Sequence, residues 1–204
     1  MITIIDYGLG NIRAFVNVYK RLNITVKIAK TKDDLDNVSK IILPGVGAFD
    51  HAINLLQNSG MREKLDEFVL QKEIPVIGIC VGMQIMAESS EEGKLAGLGW
   101  FKTKVKKIDI NNLNHKPYLP HMGWNIVNVK EEEVLFAGLE KEPRFYFLHS
   151  YCFSTDCRDT QIANSHYGQN FVSGLKKNNI YGIQFHPEKS HHNGVQILKN
   201  FALL

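Results

Sequence analysis

The sequence predicts an α/β fold, a largely parallel central sheet flanked by helices, with an additional region of antiparallel strands. Three observations predict it. Short β-branched runs alternate with amphipathic stretches through the first half of the chain, the rhythm of β-α-β units. Two apolar runs, PVIGI and IYGIQF, end on Cys80 and His186, and open parallel sheets collect reactive groups at the C-terminal ends of their strands. From about Gly99 the texture changes to short runs of alternating character, which suits hairpins.

The elements follow in order. The run TIID soon reaches Asp6, Gly8 and Gly10 and reads as a first strand rather than as a charged leader followed by a long apolar core. A helical pattern from Asn11 to Arg21 comes next, then the strand TVKIA, a polar stretch and the strand KIILPG. After Gly47, AFDHAINLLQ and MREKLDEFVLQ read as helices until Pro75 opens PVIGI, and MQIMAES beyond Cys80 reads as a further helix. In the second half KVKKI, WNIVNV, RFYFLHSY, FVSGLKK and IYGIQF read as strands, and GVQILKNFALL as a closing helix packed on the sheet. No repeat, low-complexity tract or linker divides the chain. One domain over residues 1–204 is the expectation, since 204 residues at 44% hydrophobic content can bury a full core.

Composition excludes several function classes. The net charge of +3 arises from 24 basic and 21 acidic residues spread along the chain, so nucleic acid is not an implied partner. No stretch approaches the roughly 18 apolar residues that span a bilayer, and a soluble protein with no membrane partner is expected. The three cysteines, Cys80, Cys152 and Cys157, cannot all pair with one another and match no zinc spacing, which suits a reducing cytoplasm. No metal or organic cofactor is implied.

The strongest local signal is Gly78-Ile79-Cys80-Val81-Gly82, an apolar strand running into a helical segment with cysteine at the apex. Glycines two residues either side of a nucleophile permit a tight strand-to-helix turn without Cβ clashes. A helix starting just past Cys80 would place unsatisfied N–H groups and a positive dipole end beside the sulfur, with the Val81 N–H as an oxyanion donor. Taken alone, Cys80 could also be a buried small apolar residue. A thiol nucleophile needs a base, and His186 at a strand end is the outstanding histidine of eight. Glu188, two residues on, is close enough to hold the imidazole's tautomer and orientation. A lone H-P-E is otherwise ordinary surface sequence. Pro44-Gly45-Val46-Gly47 follows another apolar strand and reads either as the second half of an oxyanion hole or as an ordinary βα turn. Gly8-Leu9-Gly10 lacks the third glycine of a dinucleotide fingerprint, since position 13 is Arg13.

Together GICVGMQ, PGVG and FHPEKS resemble class I, triad-type glutamine amidotransferase domains, with the elbow cysteine and the late H-x-E in the family's order. IDYGLGN, PHMGWN at 120–125, HSY at 149–151 and the terminal NF are similar to the glutaminase subunits of imidazole glycerol phosphate synthases, and the resemblance covers essentially the whole chain. It implies Cys80 as nucleophile, His186 as general base and acid, and Glu188 as the orienting carboxylate. It implies that Gln84 and the backbone around Gly47, Ser150 and Tyr151 hold L-glutamine. A cyclase or synthase subunit would be the partner in a heterodimer and receive the ammonia. The PGVG loop would reorganise when the partner's ligand binds, leaving the isolated subunit poorly active, and PHMGWN and HSY would face the cyclase. Trp124, Tyr151, His121 and His149 could equally be structural.

The sequence departs from that pattern in places. Val81 stands where leucine is commoner, which keeps the N–H. GLGW at 97–100 and KTKVKKI look closer to paralogues that feed ammonia to amino- or amidino-sugar synthases for surface glycans. A stand-alone cysteine hydrolase or γ-glutamyl peptidase, and a non-catalytic binding module on the same fold, complete the alternatives.

Overall fold

A computed structural model describes residues 1–111, 113, 116, 118–154 and 160–204. The first half forms as its periodicity predicts. Strand β1 (Ile2–Ile5) leads into helix α1 (Ile12–Arg21), β2 (Val26–Ala29), β3 (Ile41–Gly45), α2 (Phe49–Asn58), α3 (Arg62–Asp66) and β4 (Val76–Cys80). The four strands pair in parallel in the order β2-β1-β3-β4. Every residue of β1, β3 and β4 is buried, as expected of parallel strands covered on both faces.

Two helices differ from expectation. MREKLDEFVLQ is α-helical only to Asp66 and continues as a π turn over Glu67–Gln71. Beyond Cys80, helix α4 (Val81–Gln84) is a single α turn that tightens through i→i+3 bonds to Met86 and Ala87, so MQIMAES is not one helix. The chain there turns into the two-residue strand β5 (Ser89–Ser90), and the Leu98 and Phe101 amides donate to the Ile85 and Met86 carbonyls.

The second half supplies β6 (Lys104–Lys107), β7 (His121–Ile126), β8 (Asn128–Val129), β9 (Arg144–His149), β10 (Tyr151–Phe153), β11 (Gln161–Tyr167), β12 (Gln169–Lys177) and β13 (Ile180–Ile183), followed by α5 (His191–Leu203). Strand β13 inserts parallel to β4, in register from Ile180 opposite Val76 to Ile183 opposite Ile79. Antiparallel pairing then carries the sheet from β13 to β12, β10 and β6. WNIVNV divides into the end of β7 and the short β8. RFYFLHSY divides at Ser150, because β9 leaves the main sheet to pair with β7 in a two-stranded sheet while β10 stays in it. Strand β11, absent from the sequence expectation, pairs with β12 and β8. One cluster of buried side chains runs from Ile2 to Phe201. Among the described residues no helix is long and apolar enough to cross a membrane.

Candidate active site

Three neighbouring parallel strands, β3, β4 and β13, aim their C-terminal ends at one place. Gly45 of β3 lies opposite Cys80 of β4, and His186 follows three residues after β13. Cys80 takes φ 55° and ψ −114°, a combination L-residues rarely adopt, which sets the thiol on a sharp elbow. The flanking glycines are required by close approach. A Cβ at Gly82 would sit 1.9 Å from the Leu43 carbonyl oxygen, and one at Gly78 would sit 2.6 Å from the Met86 methyl. Because α4 is one turn long, the dipole behind Cys80 is that of a few peptide units rather than of a full helix. Val81 is its first residue, so its N–H has no partner within the helix.

His186 and Cys80 are both 3% exposed. The His186 backbone N–H donates to the Tyr146 carbonyl at 2.9 Å, which fixes the residue against β9. Its Nδ1 lies 2.9 Å from Glu188 Oε1, and that acidic side chain is 2% exposed. Because the carboxylate accepts, Nδ1 carries the proton and Nε2 is left for the sulfur. Burial disfavours the charged ring, but hydrogen bonds to Cys80 and Glu188, together with their charges, push His186 up to about 10. The Cys80 thiol lies 3.8 Å from the Leu148 carbonyl, and the Gln184 amide donates to Sγ at 3.7 Å.

These groups open on a cavity of about 320 Å³. Gly47, Cys80, Val81, Gln84, Ser150, Tyr151 and His186 all line it, and Glu188 stands behind His186. Gly47 takes φ +92°, where a side chain would be strained, and a Cβ there would meet nothing. Gln84 is 3% exposed, and its Nε2 donates to the Tyr151 carbonyl at 2.8 Å and to Gln184 Oε1 at 3.0 Å. Its own carbonyl oxygen is therefore the end left for a ligand. Gly8-Leu9-Gly10 serves the site indirectly: a Cβ at Gly10 would lie 2.8 Å from Pro44 Cβ, and Tyr7 Oη donates to the Pro44 carbonyl at 2.8 Å.

Sequence reasoning missed three lining or contacting residues. Among the described residues Glu92 is the only acid on the cavity wall, and its carboxylate also accepts the Phe49 N–H at 2.8 Å, joining the 91–95 loop to the start of α2. No local pattern marks it. Gln184 is fully buried, and a polar residue in the apolar run IYGIQF was a usable signal. Leu148 lines the wall while its carbonyl faces the thiol. Of the residues left open between core and function, Trp124 is 40% exposed and stacks on His191, Tyr151 is half-buried on the wall, and His121 and His149 are buried. Cys152 is buried and free, its thiol pushed up to about 12 chiefly by burial; Cys157 lies outside the described residues. Among the described residues no three His, Cys, Asp or Glu side chains form a group able to hold a metal.

An elbow cysteine facing a His–Glu pair is found in more than one hydrolase family, and the whole sequence decides between them. Residues 3–204 match glutamine amidotransferase class-I. The chain belongs to that family. Among curated glutamine amidotransferase relatives, it is 50% identical over 204 residues to the imidazole glycerol phosphate synthase subunit HisH of Leptospira borgpetersenii, covering 100% of both chains. It is 53% identical over 203 residues to the subunit of the same name from Bdellovibrio bacteriovorus, covering 99% of each. Among solved structures it superposes with a TM-score of 0.73 and 26% identity on a GMP synthase subunit of Thermoplasma acidophilum, covering 98% of this chain and 91% of that one. A further amidotransferase structure matches at a TM-score of 0.75 and 17% identity, covering 100% of this chain and 99% of that one, a likeness of fold alone.

Proposed function

We propose that this chain is the glutaminase subunit of an imidazole glycerol phosphate synthase. It hydrolyses L-glutamine to glutamate and ammonia and passes the ammonia to a cyclase subunit in a heterodimer, where it enters imidazole glycerol phosphate formation with release of AICAR in histidine biosynthesis. The observation that carries the chemistry is the convergence of Cys80, His186 and Glu188 on one cavity. The identity of 50–53% to HisH subunits over nearly their whole length supports the partner.

The geometry supports the following sequence. His186 Nε2 takes the Cys80 proton, and the sulfur attacks the side-chain amide carbon of glutamine. The developing oxyanion meets the Val81 N–H and backbone donors of the Gly45–Gly47 loop. The C–N bond breaks as His186 returns its proton to the leaving nitrogen, giving ammonia and a Cys80 thioester. The high proton affinity of His186 depends partly on charge at Cys80, so it falls once the sulfur is acylated. The ring can then accept a proton from the water that attacks the thioester, freeing glutamate and the thiol. Glu92 suits the α-ammonium group of the substrate, as the only carboxylate among the described residues of the wall. Ser150 and Tyr151 would hold the opposite side with Gln84.

The outer face of β7 and β9 suits the partner. Met122 opposes Leu148 and Trp124 opposes Tyr146 across the pair, and Met122, Trp124, Ile126 and Leu148 are all exposed. That face adjoins the cavity through Leu148, which gives ammonia a short way to the partner. The match over residues 3–204 and the single core cluster support one domain across the chain, and the free thiols suit the cytoplasm. The deciding experiment measures ammonia release with and without a histidine-pathway cyclase and its ligand. Turnover should rise on addition of both and vanish in Cys80→Ala, which should still bind the cyclase. Retained hydrolysis in Cys80→Ala, or no response to the cyclase, would overturn the reading.

A further inference from the structure

We propose that His121 and His149 are positioning residues for glutamine hydrolysis: a buried, tautomer-locked pair that holds the Leu148–Tyr151 wall of the cavity in register with Cys80. The proposal rests on the glutaminase reading above and goes beyond it, because neither ring is needed for proton transfer there.

The tautomers follow from the partners. His149 Nδ1 lies 2.9 Å from the Tyr151 carbonyl, which can only accept, so Nδ1 carries the proton. In a neutral ring Nε2 then accepts, and its neighbour at 2.9 Å is His121 Nδ1, which must donate. His121 Nε2 is thereby an acceptor, 3.3 Å from Asn125 Nδ2. Every proton in this line has one place to be. Both rings are held neutral by their surroundings. Burial lowers His121 to about 4; burial first, then the neighbouring His121, lowers His149 to about 3. His121 is clamped between Phe147 at 4.9 Å and Tyr167 at 4.1 Å, so it cannot turn to find another partner.

The line does not stop at Tyr151. Its carbonyl also accepts from Gln84, whose amide reaches Gln184, whose amide in turn reaches Cys80 Sγ. A continuous set of hydrogen bonds therefore runs from Asn125 on β7 to the sulfur on the elbow. It crosses from the two-stranded sheet to the main sheet at the point where the chain itself crosses, Ser150. That crossing would otherwise be a hinge between two sheets. The same peptides carry the Leu148 carbonyl facing the thiol and the Ser150 and Tyr151 wall of the cavity. Hydrogen bonds are directional and packing is not, so the polar pair fixes the orientation of this wall where apolar side chains would fix only its depth.

Two substitutions at one position separate the bond from the packing. His121→Phe keeps a flat ring between Phe147 and Tyr167 but leaves His149 Nε2 without its donor. His121→Asn loses the ring and keeps an amide N–H where Nδ1 stands. Ammonia release is measured in the complex with the cyclase and its ligand, alongside the thermal midpoint. In His121→Phe the glutamine KM should rise about tenfold with kcat within about threefold, the scale of one lost neutral hydrogen bond. His121→Asn should return KM to within about threefold of wild type despite a lower melting temperature. An unchanged KM in His121→Phe, or equal KM rises in both variants, would overturn the proposal and assign the pair to stability alone. If His121→Phe does not fold, the decision passes to Asn125→Ala at a partly exposed position, where a KM rise of about twofold or more supports the proposal and an unchanged KM overturns it. Wild-type protein that fails to hydrolyse glutamine in the same assay would instead fault the glutaminase reading, so the two failures are distinguishable.

Discussion

The end of β13 and the β7–β9 pair both bury histidines, and they set them to opposite states. His186, His121 and His149 are 3%, 4% and 6% exposed, so water contact hardly distinguishes them. Yet His186 is pushed up to about 10, while His121 and His149 are pushed down to about 4 and about 3. The difference lies in the partners. His186 faces a buried carboxylate and a thiol, which stabilise the charged ring more than burial penalises it. The other two face a carbonyl, an amide and each other, none of which compensates a buried charge. One region is built to move a proton and the other to keep protons in place.

The comparison breaks most directly at Glu188. Glu188→Gln keeps the size of the side chain but removes the charge that holds His186, and kcat/KM for glutamine should fall by on the order of 10³–10⁴-fold. Steady-state ammonia release measures it, and a loss under about tenfold would mean that the carboxylate does not set the ring's state. A smaller effect concerns acid. Because the folded-state values of His121 and His149 lie below the ordinary 6.5, the unfolded chain binds more protons between about pH 6.5 and about 3. Stability from the neutral pair is thus present above 6.5 and lost as the pH falls through about 4 toward 3, whereas the contribution of His186 is present below 6.5 and lost as the pH rises toward about 10. Urea midpoints of wild type and His121→Phe at pH 7, 5 and 4 should converge as the pH falls; parallel curves would sink this assignment. The smallest effect lies on the outer face of the same strands. Met122 is 64% exposed, so Met122→Ser should change unfolding free energy by no more than about 0.5 kcal/mol. The same variant should weaken cyclase binding measurably in a titration, and unaltered affinity would remove this face from the interface.

Particular residues show how far local sequence reached. Cys80 was legible because its reasons are local: a strand on one side, a turn of helix on the other, and glycines where Leu43, Met86 and the turn leave no room for a Cβ. His186 and Glu188 were legible as a strand end followed by a short motif. The one-turn length of α4 was not, because MQIMAES has helical spacing and what ends the helix is pairing with the 97–101 segment, through amides at Leu98 and Phe101. The division of RFYFLHSY at Ser150 was hidden for the same reason, since both halves have strand character and only their different partners separate them.

What the amino-acid sequence determined alone was the set of strands, the elbow and the identity of the reacting groups, since these follow from periodicity and steric limits acting over a few residues. Only the tertiary structure decided that β13 lies beside β4 across about a hundred residues of chain, that Glu92 reaches the cavity from a loop, and that His121 and His149 lock one another's protons. Those outcomes depend on which surfaces are buried together and on which acceptor each donor meets, and no short window of sequence contains both sides of such a contact.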